Sequence, residues 1–233
     1  MSLIEIRKEL VTNITKTPEN IKRFFKTSEG AYSEKEEFLG ITVPALRQIT
    51  QKFQNIDLGI VRELLESKYN EERLFALLAL VAQYKKANLS DKEQIYKFYL
   101  DNILKVNNWN LVDSSAHLII GAHLFDKDRS LLLELADSDN LWKRRVSIVS
   151  TWYFIKKQDL GYTFDIAELL LKDKEDLIHK ATGWILREAG KSKIEPLINF
   201  LEIHAKEMPR TMLRYSIEKL SVSERQYFLT RKA

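Results

Sequence analysis

One carboxylate and one tryptophan stand at a helical spacing that could bring both to a reactive centre. Trp109 precedes Asp113 by four residues, so in a helix the two side chains lie one turn apart on the same face. Tryptophan rings attract cations and stack on nucleobases, and a fixed carboxylate can stabilise positive charge that develops during a reaction. The pair therefore predicts a site for a cationic heterocycle.

Two more tryptophans lie close to basic residues. Trp142 lies three residues before Arg145, and Trp184 follows Lys180 by four, so each tryptophan is about one helical turn from a cation. Structural interpretations stay open, because a tryptophan at helical spacing usually packs in a core. That is the interpretation for Trp152, and Trp184 could equally pack between repeats.

Asp113 has a structural alternative as well, an ion pair with Arg145. His117 follows Asp113 by one turn, but a core or surface histidine explains it better than a catalytic partner does. The chain has 4 His and no Cys, which excludes a thiol nucleophile and thiolate metal sites. It also has no phosphate-binding loop and no dinucleotide fingerprint, so neither a metal nor a cofactor is expected.

Five short segments share a pattern that indicates internal repeats. Four place a cation before an apolar residue or alanine, and the fifth has an aspartate in place of the cation. The first residues of the segments are separated by 40, 32, 35 and 34 residues, which fits the helix pairs of a HEAT-type solenoid. The segments are Arg73-Leu-Phe-Ala, Asp113-Ser-Ser-Ala, Arg145-Val-Ser-Ile, Lys180-Ala-Thr-Gly and Arg214-Tyr-Ser-Ile.

Equivalent positions of stacked repeats line one concave surface. The pattern therefore predicts a row of cations near helix N-termini, where backbone N–H groups also favour phosphate. Asp113 is the one acid in this row, and for any single cation an ordinary solvated helix charge remains the alternative. The predicted fold is an all-α, right-handed α-solenoid of HEAT-like repeats that forms a single domain over residues 1–233.

Composition favours helices throughout. Only 7 Gly and 4 Pro interrupt the chain, and apolar residues recur at helical spacing, as between positions 194 and 201. Asn70, Ser90 and Asn140 are typical residues for helix starts. We expect about a dozen helices, no sheet, and one long irregular segment over residues 27–42.

Net charge permits a polyanionic partner without requiring one. The chain has 37 Lys and Arg against 33 Asp and Glu, which gives a net charge of +4. Glu5 interrupts the N-terminal stretch where a signal peptide would need an apolar core, and the longest apolar run, residues 74–83, is too short for a membrane span. We expect a monomeric, cytoplasmic protein that acts in the bacterial nucleoid.

Four stretches, in order along the chain, resemble one family. They are Phe38-Leu39-Gly40-Ile41 with Pro44 and Arg47, then residues 108–114, then residues 140–145, and then residues 179–188. Together they are similar to the HEAT-repeat alkylpurine DNA glycosylases, the AlkD type of DNA alkylation repair enzyme. The resemblance covers residues 38–190.

The resemblance implies hydrolysis of the N-glycosidic bond of alkylated purines, such as 3-methyladenine and 7-methylguanine, in duplex DNA. It implies that Asp113 stabilises the oxocarbenium-like deoxyribose and orients water. Trp109 and Trp184 would flank the sugar and the damaged nucleotide, and Arg145 would hold a phosphate. The other residues expected to bind DNA are Arg47, Arg73, Arg144, Lys180 and Arg214.

One feature departs from the family pattern. That pattern has a tyrosine on an early helix, whereas Tyr32 lies in the stretch predicted to be irregular, so we assign it no role. The family also includes members that bind DNA without excising bases. A non-catalytic DNA-structure-binding protein and a protein-binding helical scaffold therefore stay as alternatives.

Overall fold

The computed structural model describes residues 2–53 and 55–231, and every regular element within these ranges is helical. The all-α prediction is therefore confirmed, although fifteen α-helices are described instead of about a dozen. The α-helices are α1 (Leu3–Thr12), α2 (Pro18–Lys22), α3 (Val43–Lys52), α4 (Leu58–Leu65), α5 (Asn70–Lys86), α6 (Leu89–Asp101), α7 (Trp109–Ala116), α8 (Ala122–Leu124), α9 (Ser130–Ala136), α10 (Leu141–Ile155), α11 (Gly161–Leu169), α12 (Asp176–Ser192), α13 (Ile194–His204), α14 (Arg210–Ser216) and α15 (Val222–Thr230).

Two shorter helical turns complete the described structure. A 3₁₀ turn spans Ile103–Lys105, and a π-helical turn spans His117–Gly121. None of the described helices combines the length and the apolar character that a bilayer crossing requires. The chain divides into two compact units, Met1–Ser115 and Ala116–Ala233.

Helix α5 is the centre of the first unit. It is buried along most of its length, so its apolar residues do not form a single stripe, as expected for a helix covered on several sides. Helices α3, α4 and α6 pack against α5, and α1 packs against α3. Its first turn is buried as well and holds the charged residues Glu71, Glu72 and Arg73.

The second unit repeats one packing arrangement. Helix α10 packs against α9, and α12 packs against α11. Helices α10, α12 and α14, which contain the first residues of the repeated segments at 145, 180 and 214, lie side by side in that order. Arg145, Lys180 and Arg214 each occupy the fifth position of their helix, which confirms their predicted place in the first two turns. The continuous solenoid and the single domain stay predictions.

Two glycines allow the helices of the second unit to approach closely. A Cβ atom on Gly183 would lie 2.5 Å from the carbonyl oxygen of Met212 in α14. A Cβ atom on Gly121 would lie 2.2 Å from the carbonyl oxygen of Ser150 in α10. Both distances are far below van der Waals contact, so each helix pair depends on the missing side chain.

We therefore expect Gly183→Ala to lower the free energy of unfolding by about 2–3 kcal/mol, because α12 and α14 must move apart. Urea unfolding measures the change. Gly161→Ala is the matched control, since a Cβ atom there meets nothing within 4 Å and alanine favours the helix. Equal stability of the two variants would contradict the close packing.

The helix starts are partly as predicted. Asn140 caps α10, because its Oδ1 accepts hydrogen bonds from the N–H groups of Trp142 and Lys143 at 2.9 and 3.1 Å. The predictions for Ser90 and Asn70 are wrong by a residue or two. Helix α6 is capped by Asn88. Asn70 is the first residue of α5 and does not cap it, and its side chain donates a hydrogen bond to Glu36.

Residues 23–42 form the connecting segment between α2 and α3, and they contain no helix, as predicted for 27–42. The buried carboxylate of Glu71 accepts hydrogen bonds from the N–H groups of Leu39, Gly40 and Ile41 at 3.0, 2.9 and 3.3 Å. Gly40 has φ of 100°, a backbone conformation that favours glycine. This part of the family motif therefore anchors the connecting segment to α5.

Candidate functional site

Helix α7 places Trp109 and Asp113 one turn apart, as the spacing predicts. Trp109 is its first residue and Asp113 its fifth, and both side chains are partly exposed. Leu111 and Val112 between them are fully buried and fix the helix to the first unit. The carboxylate and the indole thus lie on the more exposed side of an anchored helix.

An aromatic contact holds the indole of Trp109. Phe25, in the connecting segment, stacks on it with a ring-centroid distance of 5.2 Å and an interplanar angle of 26°. Phe38 contacts Phe25 in turn at 4.7 Å. Next to Trp109, the Asn108 side chain donates a buried hydrogen bond of 2.8 Å to Ser33 Oγ. The connecting segment therefore positions the start of α7.

Polar side chains make a second connection between α5 and α7. Asn110 Nδ2 donates to Asn70 Oδ1 at 2.7 Å, and Asn70 Nδ2 donates to the Glu36 carboxylate at 2.9 Å. Glu36 also forms a buried ion pair with Arg73, whose guanidinium donates to the Ser67 carbonyl oxygen at 2.8 Å. All of these groups lie inside the first unit, and together they fix the start of α7 against α5.

Tyr99 supports the far end of α7. Its hydroxyl lies 2.9 Å from Ser115 Oγ, which donates to the carbonyl oxygen of Leu111 at 2.6 Å. Burial raises the pKa of Tyr99, the Ser115 hydrogen bond opposes this rise, and the negative charge of Asp113 adds to it. The hydroxyl is therefore a neutral hydrogen-bonding group that lies within electrostatic reach of Asp113.

In the second unit, Arg145 is 5% exposed and donates to the Leu177 carbonyl oxygen at 2.6 Å. Lys180 forms an ion pair of 2.8 Å with Asp176. Both side chains of that pair are partly exposed, and ion pairs in contact with solvent contribute little, so exchanging the carboxylate for a phosphate costs little. These two cations lie in the first two turns of neighbouring helices.

A cluster of rings and one cation surrounds Trp152. Its indole lies 4.5 Å from the His117 ring, and the Lys156 ammonium lies 3.9 Å from its ring centroid. Trp184 meets it edge-to-face at 5.0 Å and 67°. The prediction that Trp152 belongs to the core is wrong, because its side chain is partly exposed beside Trp184. His117 is buried, as the core interpretation requires.

The model of the family described as DNA alkylation repair enzyme matches residues 6–220. The chain belongs to the DNA alkylation repair enzyme family. A search of curated proteins found no match. A solved structure described as a predicted DNA alkylation repair enzyme from Enterococcus faecalis is similar, at 14% identity and a TM-score of 0.66, over 90% of this chain and 98% of that one. At this identity the similarity concerns the fold.

Four of the cations predicted to bind DNA in this repair protein fall into two kinds, which differ in whether they pair with a buried carboxylate. Arg73 and Arg144 are held within the protein, because Arg73 pairs with Glu36 and Arg144 pairs at 2.6 Å with Asp173, whose side chain is 4% exposed. Arg47 and Arg214, in contrast, are exposed and form no hydrogen bond or ion pair with the described residues.

Sequence reasoning missed two aromatic residues of this repair protein. Phe25 lies in an irregular segment, where no periodicity marks its contact with Trp109. Trp152 carried a signal, since it follows Arg145 by seven residues, which is two helical turns and the same face.

In the described ranges, no group of three or more His, Asp or Glu side chains is arranged to hold a metal ion.

Proposed function

We propose that this repair enzyme is a DNA glycosylase that hydrolyses the N-glycosidic bond of N3- and N7-alkylated purines in duplex DNA. The observation that carries the proposal is the partly exposed pair of Asp113 and Trp109 on the anchored helix α7. Membership of the DNA alkylation repair enzyme family supports alkylated DNA as the substrate class. The proposed lesions, 3-methyladenine and 7-methylguanine, are those that the family resemblance implies, and the chemistry below describes how such bases would leave.

Alkylation at a ring nitrogen gives the purine a positive charge, so the base can leave without being protonated by the protein. As the bond from the base to C1′ breaks, positive charge develops on the deoxyribose. Asp113 stabilises that charge and orients the water whose oxygen bonds to C1′, while the water proton passes to the carboxylate or to solvent. Trp109 lies one turn away and offers a ring face that favours cationic groups.

The DNA backbone binds, in this proposal, to cations at helix N-termini. Arg145 and Lys180 lie in the first two turns of α10 and α12, where the helix dipoles also favour an anion. Arg47 and Arg214 add exposed cations without competing partners. We leave Arg73 and Arg144 out, because a phosphate contact would require each to abandon a buried carboxylate.

We expect Lys180→Gln to weaken duplex binding about threefold to tenfold and to reduce the slope of log affinity against log salt by about one. The reason is that DNA releases a counterion for each phosphate that the protein neutralises, so a variant with one contact fewer releases fewer counterions on binding. Lys191→Gln is the matched control, since Lys191 is an exposed lysine in an ion pair at the other end of α12. Fluorescence anisotropy over a salt series measures both, and identical slopes for the two variants would count against the assignment.

A non-catalytic DNA-structure-binding protein is the second candidate, and the connecting segment favours it. Tyr32 accepts a hydrogen bond from the Lys26 N–H at 3.2 Å within that segment, and the early helix α2 has five residues. The tyrosine of the family pattern therefore has no counterpart on an early helix here. A protein-binding scaffold would differ from both, because its affinity for DNA would be negligible at every salt concentration.

Strand cleavage in alkali separates the two DNA-binding candidates. A duplex with a single N7-methylguanine is incubated with the protein and then heated in alkali, which breaks the strand at abasic sites. A glycosylase yields a break at the lesion, at a rate above that of the duplex alone. A bound but unbroken duplex would favour the non-catalytic candidate.

A further inference from the structure

We propose that Trp152 is a positioning residue that fixes the indole of Trp184 for contact with DNA. The proposal rests on the proposed function and on the position beside the damaged nucleotide that the family resemblance implies for Trp184. It concerns the indole pair, Trp152 of α10 and Trp184 of α12. Trp152 itself need not touch the substrate.

Trp152 is held by contacts with two different kinds of group. The imidazole of His117 lies 4.5 Å from its ring centroid at an interplanar angle of 43°. The ammonium group of Lys156, the residue that follows the end of α10, lies 3.9 Å from the same centroid, a cation–π contact. A ring that is held by two neighbours has little rotational freedom left, so it offers a fixed surface against which another ring can pack.

Trp184 packs against the ring of Trp152 in a favourable geometry. The two indoles are 5.0 Å apart at 67°, the edge-to-face arrangement that aromatic pairs prefer. The backbone of α12 is fixed at the same level, since the adjacent Gly183 packs directly against Met212 of α14. Both the backbone and the ring of Trp184 are therefore restrained before any ligand binds.

The exposure of the pair leaves it accessible to a ligand. Both indoles are partly exposed, so a bound nucleotide can reach the ring of Trp184. A ring that is already ordered loses less conformational entropy on binding, so DNA affinity gains from preorganisation. Trp152 restrains the ring of Trp184 in this way before DNA binds.

Two sets of measurements test the role. The first compares Trp152→Leu, Trp152→Phe, Trp184→Ala and the double variant Trp152→Leu/Trp184→Ala for duplex affinity and for kcat/KM of base release. We expect Trp152→Leu to lower both by about threefold to tenfold, Phe to restore most of the loss, and the leucine change to have no further effect once Trp184 is absent. Tyr153→Leu, at the neighbouring position in α10, is the control and should leave both quantities unchanged.

The second measurement needs no activity. Two indoles in edge-to-face contact couple their electronic transitions and give a paired positive and negative band in the ultraviolet circular dichroism spectrum. We expect this couplet in the unaltered protein and in Tyr153→Leu, and its loss in Trp152→Leu and in Trp184→Ala. A couplet that persists in Trp152→Leu would overturn the contact on which the proposal depends.

The outcomes separate this role from the proposed function. Losses that simply add in the double variant, or an unchanged duplex affinity of Trp152→Leu, would overturn the positioning role alone. Duplex binding without base release would overturn the glycosylase proposal, yet the affinities and the couplet would still decide whether Trp152 positions Trp184. If the unaltered protein bound no duplex at all, both proposals would fall, even with the couplet present.

Discussion

Asp113→Asn is expected to lower the rate of base release by about a hundredfold to a thousandfold. The amide has the same shape as the carboxylate but cannot balance the positive charge on the deoxyribose. Single-turnover release of 7-methylguanine from methylated duplex measures the change. Duplex affinity should remain within about twofold, because the charge removed is negative and the proposed phosphate contacts are unaltered.

The control for this variant is another carboxylate of the first unit. Asp101→Asn changes an exposed aspartate at the end of α6 and leaves the same net charge as Asp113→Asn. It should release the base at the unaltered rate. Release by Asp113→Asn at that same rate would remove Asp113 from the mechanism, whatever the family resemblance implies.

Gly40→Ala is expected to lower the free energy of unfolding by about 3 kcal/mol. Gly40 has φ of 100°, which strains any residue with a side chain, and an added Cβ atom would lie 2.0 Å from the carbonyl oxygen of Lys16. That carbonyl belongs to backbone, so it cannot swing aside as a flexible side chain would. Relief of the clash would also pull the N–H of Gly40 away from the carboxylate of Glu71.

Gly30→Ala isolates the strain from the clash. Gly30 also has a positive φ, of 73°, but a Cβ atom there would meet nothing within 4 Å. We expect a loss of about 1 kcal/mol for this control. Urea unfolding of both variants measures the difference, and equal losses would show that the close approach to Lys16 contributes nothing.

The loss at Gly40 should extend to activity. Glu71 anchors residues 39–41, and the same connecting segment carries Phe25, which stacks on Trp109. A loosened segment therefore frees the indole beside Asp113. The family motif at residues 38–41 thus has a structural role in this chain, one step removed from the proposed chemistry.

Local features of the sequence carry much of this fold. Helical spacing and capping predict α10 and its start at Asn140, and the repeated segments place Arg145, Lys180 and Arg214 at the same position of their helices. The four-residue spacing of Trp109 and Asp113 places them one turn apart on α7. These features depend on neighbours within a few residues, which a single sequence displays directly.

Contacts between distant residues explain the rest. Arg73 looks like any exposed helix cation until Glu36, thirty-seven residues away, is found buried beside it. Arg144 and Asp173 are a similar case, and so are Phe25 and Trp109. Periodicity shows which face of a helix is apolar, but it does not show which carboxylate or ring meets that face. The cations predicted to bind DNA therefore included two arginines that serve the fold.

Identification of the released product tests the central proposal most directly. A duplex that carries isotope-labelled N7-methylguanine is incubated with the unaltered protein, and the small molecules are analysed by mass spectrometry. We predict the intact methylated base in solution and an equal amount of abasic site in the DNA. Unmodified guanine left in the strand without its methyl group, or a lesion that stays in a fully bound duplex, would contradict hydrolysis of the N-glycosidic bond.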